Sequence, residues 1–262
     1  MDPNMDLETL GGLFSGRIRQ VPATERWSLR QVVRHMDTGV EHFEHLFTRT
    51  WTKLDLKLRG SETCLPSASY KAVNFSTPKR VGADSYREMG ENVDTGDPEL
   101  DKTIKQWLEW DRNMATRQEV TDLLNDHNVD ELRKRFGTRI QFGTAGLRAA
   151  MEAGTARIND LIIIQTAQGL LRYLESSNPE CKSQGIVIGY DARHCSQRYA
   201  HLTAAIMLHA GIPVYLYSDI VPTPFVPYAI RKYSCVAGVM VTPSHNPKGD
   251  NGYKVYWSNS AQ

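Results

Sequence analysis

The sequence predicts an α/β protein in which a mostly parallel sheet is flanked by helices, preceded by a helical and irregular N-terminal segment. Two observations lead to this prediction. From residue 139 onward, short apolar segments typical of buried strands alternate with longer segments of helical periodicity. The 262 residues are 40% hydrophobic and 23% charged, a balance that suits a globular protein with a substantial buried core.

The first 93 residues differ in character from the rest of the chain. Ser28 and Gln31 have the spacing of a capping box, and apolar residues then recur at helical spacing, which predicts a helix over about 29–47. The stretch that follows is rich in small and turn-forming residues and has little periodicity, as expected of a linker. We therefore divide the chain into an N-terminal segment, 1–93, and an α/β domain, 94–262.

Two short helices are predicted ahead of the sheet. Asp97 can cap the first, with Pro98 at its first position, and Thr116 and Glu119 have capping-box spacing at the start of the second. Asn159 can cap a long helix inside the alternating region. The strands predicted there are RIQF (139–142), GIVIGYD (185–191), IPVYLY (212–217) and CVAGVMVT (235–242), and the further helices are QRYAHLTAAIMLHAG (197–211) and a short one within PTPFVPYAIRKY (222–233).

The loops that follow the strands are expected to form one site. Right-handed crossovers place these loops at the carboxyl edge of a parallel sheet, so 143–148, 191–198, 218–224 and 242–252 should meet there. Several cations around one hydroxyl indicate a binding site for a phosphoryl group, and the glycines of FGTAGLR (142–148) would let backbone N–H groups approach an anion. The polar and charged residues in or beside these loops are Arg148, Asp191, Arg193, Arg198, Thr223, Ser244, His245, Asn246, Lys248 and Lys254.

The adjacent Ser244 and His245 raise the alternative of a hydrolase. Neighbouring side chains of an extended segment point to opposite faces, so His245 is poorly placed to deprotonate Ser244. The G-x-S-x-G elbow of serine hydrolases is absent, and so are the GxxxxGK[ST] phosphate loop and the GxGxxG dinucleotide motif. These absences leave hydrolases, NTPases and dinucleotide enzymes without support.

Composition narrows the partners and the compartment. A formal net charge of +1 argues against a dedicated nucleic-acid surface, and no apolar stretch approaches the length of a membrane span. The four cysteines lie far apart without a CxxC pair, which favours reduced thiols over disulfides or a zinc site. We expect a cytoplasmic protein that binds neither nucleic acid nor membranes.

Several motifs in order resemble one enzyme family. TPSHNP (242–247) followed by NGYK (251–254) resembles the phosphoserine loop of the α-D-phosphohexomutases, and FGTAGLR, GYDAR and PTPF stand where that family has its other first-domain motifs. GDPELDKTIKQWLEWDRN, INDLIIIQTAQG and DNGYKVYW are similar to the phosphoglucomutase-2 branch, which includes phosphopentomutases and glucose-1,6-bisphosphate synthases. The resemblance runs from about residue 94 to the end.

This resemblance implies a phosphosugar mutase, in which a serine passes a phosphoryl group to and from a hexose or pentose phosphate through a sugar bisphosphate. Ser244 would be the carrier, Lys254 would supply charge or transfer a proton at the sugar hydroxyl, and Arg148 would steady the phosphoserine. His245 would shape the loop, and the residues expected to contact substrate or phosphate are Asn246, Arg193 and Thr144. The resemblance also implies Mg²⁺ on a phosphoserine oxygen, glucose 1,6-bisphosphate as intermediate and activator, and a monomer acting on small sugar phosphates.

The chain departs from the family in two respects. The family has four domains, and the D-x-D-x-D-R metal loop does not occur in this sequence, so we expect an incomplete first domain that lacks the remaining Mg²⁺ ligands. Two alternatives stay open: a glucose-1,6-bisphosphate synthase, and an inactive fragment that binds only a phosphosugar or a partner. Pro243 stands where the family usually has a small residue, which removes an N–H group next to Ser244.

Overall fold

The computed structural model describes residues 18–21 and 93–262. The predicted helix over 29–47 and the linker after it lie outside the described residues. Within these residues the strands are β1 (Ile18–Val21), β2 (Leu147–Ala150), β3 (Ile186–Tyr190), β4 (Val214–Tyr217), β5 (Ala237–Val241) and β6 (Asp250–Trp257). The helices are α1 (Pro98–Trp110), α2 (Met114–Asn125), α3 (Val129–Phe136), α4 (Asp160–Ser177), α5 (Cys181–Gln184), α6 (Ser196–His209) and α7 (Phe225–Lys232).

The strands form one sheet in the order β1-β4-β3-β5-β6-β2. The predicted α/β class is confirmed, and the three central strands β4, β3 and β5 are parallel. The sheet as a whole is mixed, because β6 pairs antiparallel with both β5 and β2, and β1 pairs antiparallel with β4. The cause at β6 is the short connection 242–249, since a parallel crossover needs a dozen residues or more.

Helices cover both faces of the sheet, as the alternating pattern predicts. Ile186 and Ile188 of β3 point toward α4 and α6, whereas Val187 between them points toward α7. A separate apolar cluster joins α1, α2 and α3 to the first turn of α4, with Trp107 and Phe136 in edge-to-face contact at 5.6 Å between ring centroids. No helix in the described part of the chain has the length and apolar character needed to cross a bilayer.

The predicted caps of the first and longest helices are confirmed. The Asp97 carboxylate accepts hydrogen bonds from the first-turn N–H groups of α1, and Pro98 occupies the first helical position. The Asn159 side chain accepts from the Ile162 N–H at the start of α4. Both side chains satisfy N–H groups that have no partner within their helix.

Two local predictions are wrong. The predicted strand RIQF (139–142) is irregular, and the strand begins instead at Leu147, where pairing with β6 becomes available. The predicted capping box of Thr116 and Glu119 is also wrong. Asn113 caps α2 three residues earlier, and the Thr116 hydroxyl donates to the buried Asp111 carboxylate. A third helix before the sheet, α3, was not predicted.

Candidate active site

The candidate site lies around loop 242–249, which connects β5 to β6 at the carboxyl end of β5. The Thr242 N–H donates to the Gly252 carbonyl at 3.0 Å, which closes the base of the loop. Gly252 allows this close approach: a Cβ there would lie 2.5 Å from the Thr242 oxygen and 2.8 Å from the Pro243 Cα. A larger residue would push the loop off the sheet.

Ser244 is exposed at the turn of this loop and has a left-handed backbone, with φ of 62°. Its N–H donates to the Thr242 hydroxyl at 3.1 Å, a local turn that helps to hold the unusual conformation. A non-glycine residue in this region is strained by about 1 kcal/mol and persists only when its surroundings hold it there. The chain therefore constrains the serine and leaves its hydroxyl open to solvent.

Ser244 and His245 do not lie in the extended segment that the sequence predicts, because the Ser244 backbone is left-handed. His245 is exposed beside the serine, and no hydrogen bond joins the two side chains among the described contacts. A serine–histidine pair of the hydrolase type is therefore not formed, since the base must hydrogen-bond the nucleophile.

Arg148 and Lys254 form a pair of cations beside the loop. Arg148 on β2 lies opposite Gly252 on β6, and Lys254 is two residues further along β6 on the same face. Gly252 has no side chain to separate them, so the guanidinium acts on the ammonium electrostatically. Burial first, and then the charge of Arg148, hold the pKa of Lys254 below its usual range.

Neither cation is neutralised by a carboxylate in the part of the chain that the structure describes. The Lys254 side chain is buried, with the residue only 7% exposed. Arg148 donates one hydrogen bond, from Nη1 to the Asn246 side-chain oxygen at 3.4 Å, and its buried Nε has no partner. A buried lysine beside a half-buried arginine with an unused donor is costly on its own and is suited to a bound anion.

Arg193 reaches the same loop from the turn after β3. Its guanidinium donates to the backbone carbonyls of Ser244 and Asn246 through Nη2, at 3.2 and 2.6 Å. Through Nη1 it donates to the carbonyls of Pro247 and Asp250. In this conformation both terminal nitrogens are committed to the loop backbone.

The turn that carries Arg193 is held by Asp191, which the sequence analysis places at the site, and by Ser196 and Asn251, which it does not. Asp191 accepts from the Arg193 N–H at 3.0 Å and from the Ser196 hydroxyl at 2.6 Å. Asn251, fully buried at the start of β6, donates to Ser196 Oγ and to the His194 carbonyl, each at 3.0 Å. The NGYK motif contains Asn251, but its partners lie more than 50 residues away and are not visible in the sequence.

The other residues of the predicted site are placed as follows. Asn246 links Arg148 to the Asp250 carboxylate, to which its amide nitrogen donates at 3.1 Å. Thr144 is exposed in the turn before β2, where its carbonyl accepts from Gln262. Arg198 points away from the loop and binds Asp160 through two nitrogens, at 2.8 to 3.0 Å.

The described residues do not by themselves fit a magnesium ion. They contain no group of three or more His, Cys, Asp or Glu side chains that could hold a metal. Near Ser244, Asp250 is engaged with Asn246, and Asp191 is engaged with Ser196 and Arg193. Mg²⁺ prefers carboxylate and water oxygens, whereas the residues nearest the loop are cationic.

Comparisons with known proteins point to one family. A family model described as phosphoglucomutase/phosphomannomutase, alpha/beta/alpha domain I, matches residues 139–262. The chain is 54% identical to phosphopentomutase of Homo sapiens over 172 residues and 55% identical to glucose 1,6-bisphosphate synthase of Homo sapiens over 174 residues, matches that cover 63% and 64% of this chain. It is 47% identical to phosphoribomutase of Saccharomyces cerevisiae over 173 residues, or 65% of this chain. The chain spans 28% of the length of each of these relatives.

Proposed function

We propose that this chain, whose residues 139–262 match the model of domain I of the phosphoglucomutase/phosphomannomutase family, carries the phosphoryl-accepting serine of a phosphosugar mutase. One observation carries the proposal: Ser244 is exposed on a loop beside the buried Lys254 and the half-buried Arg148, which have no carboxylate partner among the described residues. A phosphoryl group on Ser244 would supply the missing negative charge. Phosphoryl transfer depends mainly on positioning and on such charge stabilisation.

The proposed step is attack by Ser244 Oγ on a phosphorus atom of a sugar bisphosphate. The Oγ–P bond forms, the P–O bond to the sugar breaks, and the serine proton ends on the released sugar oxygen. Lys254 is the proposed proton carrier, because its lowered pKa makes its ammonium a better proton donor than an ordinary lysine. In the reverse direction the phosphoserine returns its phosphoryl group to the other sugar position.

Arg148 is proposed to hold the phosphoserine. Its Nη1 already reaches Asn246, two residues from Ser244, and its unpaired Nε is available as a second donor. A guanidinium can present two parallel N–H groups to two phosphoryl oxygens. Asn246 is proposed to keep Arg148 in place until the phosphoryl group arrives.

The proposed substrates are pentose and hexose phosphates, with glucose 1,6-bisphosphate as a phosphoryl donor. The similarities to a phosphopentomutase and to a glucose 1,6-bisphosphate synthase are nearly equal, so bisphosphate synthesis is the second candidate. The free thiols of Cys181, Cys195 and Cys235 agree with a reducing, cytoplasmic location. No step is assigned to Mg²⁺, because the described residues do not fit it.

The test is phosphorylation of the full chain by glucose 1,6-bisphosphate carrying labelled phosphate. We expect acid-stable label on Ser244 and its loss in Ser244→Ala. Ser258→Ala, which removes an exposed hydroxyl from the turn after β6, is the matched control and should keep the label. A chain that is folded by circular dichroism but takes no label, or takes it at another residue, would overturn the proposal.

A further inference from the structure

Arg193 gathers four carbonyl groups of the loop that bears Ser244. The accepting residues, Ser244, Asn246, Pro247 and Asp250, span the loop from its turn to the start of β6. Carbonyl oxygens that converge on one point repel each other unless a cation lies between them. The loop conformation therefore depends on the guanidinium that fills its interior.

The shape of the guanidinium suits this position. It is planar and presents its N–H donors in a rigid fork, so one group can serve acceptors on two sides at once. The Arg193 side chain is only 18% exposed, and its Nε faces the Asp191 carboxylate at 3.6 Å. Lysine could replace the charge but has three donors on a single nitrogen, which cannot span the same four oxygens.

The backbone of Arg193 is held by hydrogen bonds, as its guanidinium is. Asp191 binds the Arg193 backbone N–H, and Asn251 ties the same turn to the start of β6 through Ser196. Arg193 thus bridges two segments, the turn after β3 and loop 242–249, that are both fixed to the sheet. Its hydrogen bonds to the loop set the position of the Ser244 backbone and help to stabilise its left-handed conformation.

We propose that Arg193 is a positioning residue for the phosphoryl-accepting serine and does not contact the substrate phosphate. This proposal replaces the prediction from the sequence that Arg193 binds phosphate. Its effect on transfer rests on the proposed function of Ser244, whereas its effect on loop conformation does not. Arg193 acts through the loop backbone, so its loss should slow transfer without weakening substrate binding.

The structural test is amide hydrogen exchange in the full chain, with Arg157→Lys as the matched control. The Arg157 side chain is 21% exposed and pairs with Glu152 and Glu131, neither of which belongs to loop 242–249. We expect Arg193→Lys to speed exchange within 244–252 by about tenfold or more, the loss typical of charge-assisted hydrogen bonds, and Arg157→Lys to leave that segment unchanged. Unchanged exchange in Arg193→Lys would overturn the proposal, as would loss of protection across the whole sheet.

The functional test measures the rate of Ser244 labelling against the concentration of glucose 1,6-bisphosphate. We expect Arg193→Lys to lower the maximal rate roughly 10-fold to 100-fold, the cost of a misplaced reacting group, and to keep the half-saturating concentration within about twofold. A rise in the half-saturating concentration with an unchanged maximal rate would instead mean contact with the phosphate and overturn the proposal. If the unaltered chain takes no label, the proposed function fails, and hydrogen exchange still decides the role of Arg193.

Discussion

A lysine buried without an acidic partner lowers the stability of a folded chain. Lys254 is in this position within the described part of the chain, since its neighbour Arg148 carries the same charge and both point to one face of the sheet. Removing charge from water without compensation is among the costliest changes in a protein interior. Such a residue is understandable where an anion supplies the missing charge during function.

Replacement of Lys254 by methionine is expected to stabilise the phosphate-free chain and to abolish labelling of Ser244. The gain at pH 7 should be about 1 kcal/mol or more, as found when buried charges give way to apolar groups of similar volume. Because the pKa of Lys254 is lowered in the fold, the unfolded chain binds more protons at alkaline pH, and the unaltered protein gains stability as pH rises toward the ordinary lysine value of about 10.4. The advantage of Lys254→Met should therefore shrink with rising pH.

Urea unfolding at several pH values measures this difference. Lys248→Met removes an exposed charge from the adjacent loop 242–249 and should leave stability within about 0.5 kcal/mol of the unaltered chain. A lower stability of Lys254→Met at pH 7 would show that the ammonium has a stabilising partner, and the unpaired-cation account would be wrong.

For individual residues, the sequence predicts which side chains belong to the candidate active site but not which atoms those side chains contact. Ser244, Lys254 and Arg148 belong to short motifs whose residue types point to phosphate chemistry. The four carbonyl bonds of Arg193 span more than 50 residues and depend on the path of the loop backbone. The family resemblance implies phosphate binding for this arginine, and its residue type agrees, because a guanidinium donates to carbonyl oxygens as well as to phosphate oxygens.

Among the elements, α4 depends most on a single side chain. Asn159 accepts from the Ile162 N–H and donates its amide hydrogens to the carbonyls of Glu152 and Gly154, at 2.9 and 3.0 Å. The residue is 3% exposed, so water cannot replace these bonds. One side chain thus starts the 18-residue helix and anchors the loop that leads into it.

Asn159→Ala is expected to lower the free energy of unfolding by about 2–4 kcal/mol, from a lost cap, an unsatisfied Glu152 carbonyl and a Gly154 carbonyl left with only the long bond from the Arg157 N–H. Asn128→Ala removes an exposed cap of α3 that makes one such bond and should cost about 1 kcal/mol or less. Asn159→Asp keeps the acceptor but places a buried carboxylate oxygen against the two carbonyls, and should cost at least as much as Asn159→Ala. Denaturant unfolding measures all three, and equal losses for Asn159→Ala and Asn128→Ala would contradict the anchoring role.

Capping patterns predict helices well only where no tertiary contact competes for the side chain. Asp97 and Asn159 cap as their positions suggest. Thr116 and Glu119 have the spacing of a capping box, yet the threonine hydroxyl donates to Asp111 and Glu119 accepts from Arg135 and the Ala153 N–H. The strand predicted at 139–142 fails for a similar reason, because apolar residues alone cannot show which segment finds a pairing edge.

For the whole molecule, a chain of polar side chains joins the helices before the sheet to the sheet layer itself. The Asp160 carboxylate, in the first turn of α4, accepts a hydrogen bond from the Asn113 side chain at the start of α2. It also accepts hydrogen bonds from two nitrogens of Arg198 on α6. Asp111 lies at the α1–α2 junction, buried and electrostatically coupled to Asp160. The alternating pattern predicts the α/β layers, but these links connect distant segments, and nothing in the local sequence reveals them.

Because Asp111 is buried at this junction, we expect the free energy of unfolding to depend on pH in the acidic range. Burial raises the pKa of Asp111 to about 6, above its unfolded value of about 3.9, so the folded state binds more protons between these values and stability falls as pH rises through them. Asp111→Asn removes the titrating carboxyl group. The Thr116 hydroxyl can then donate to the Asn113 carbonyl and accept a hydrogen bond from the new side-chain amide, so the contact between residues 111 and 116 can be kept. The stability of Asp111→Asn relative to the unaltered chain should therefore increase by roughly 2–3 kcal/mol from pH 4 to pH 7.

Asp122→Asn, the same change at an exposed site on α2, should show no such trend in urea unfolding, and parallel pH profiles for Asp111→Asn and the unaltered chain would refute the raised pKa.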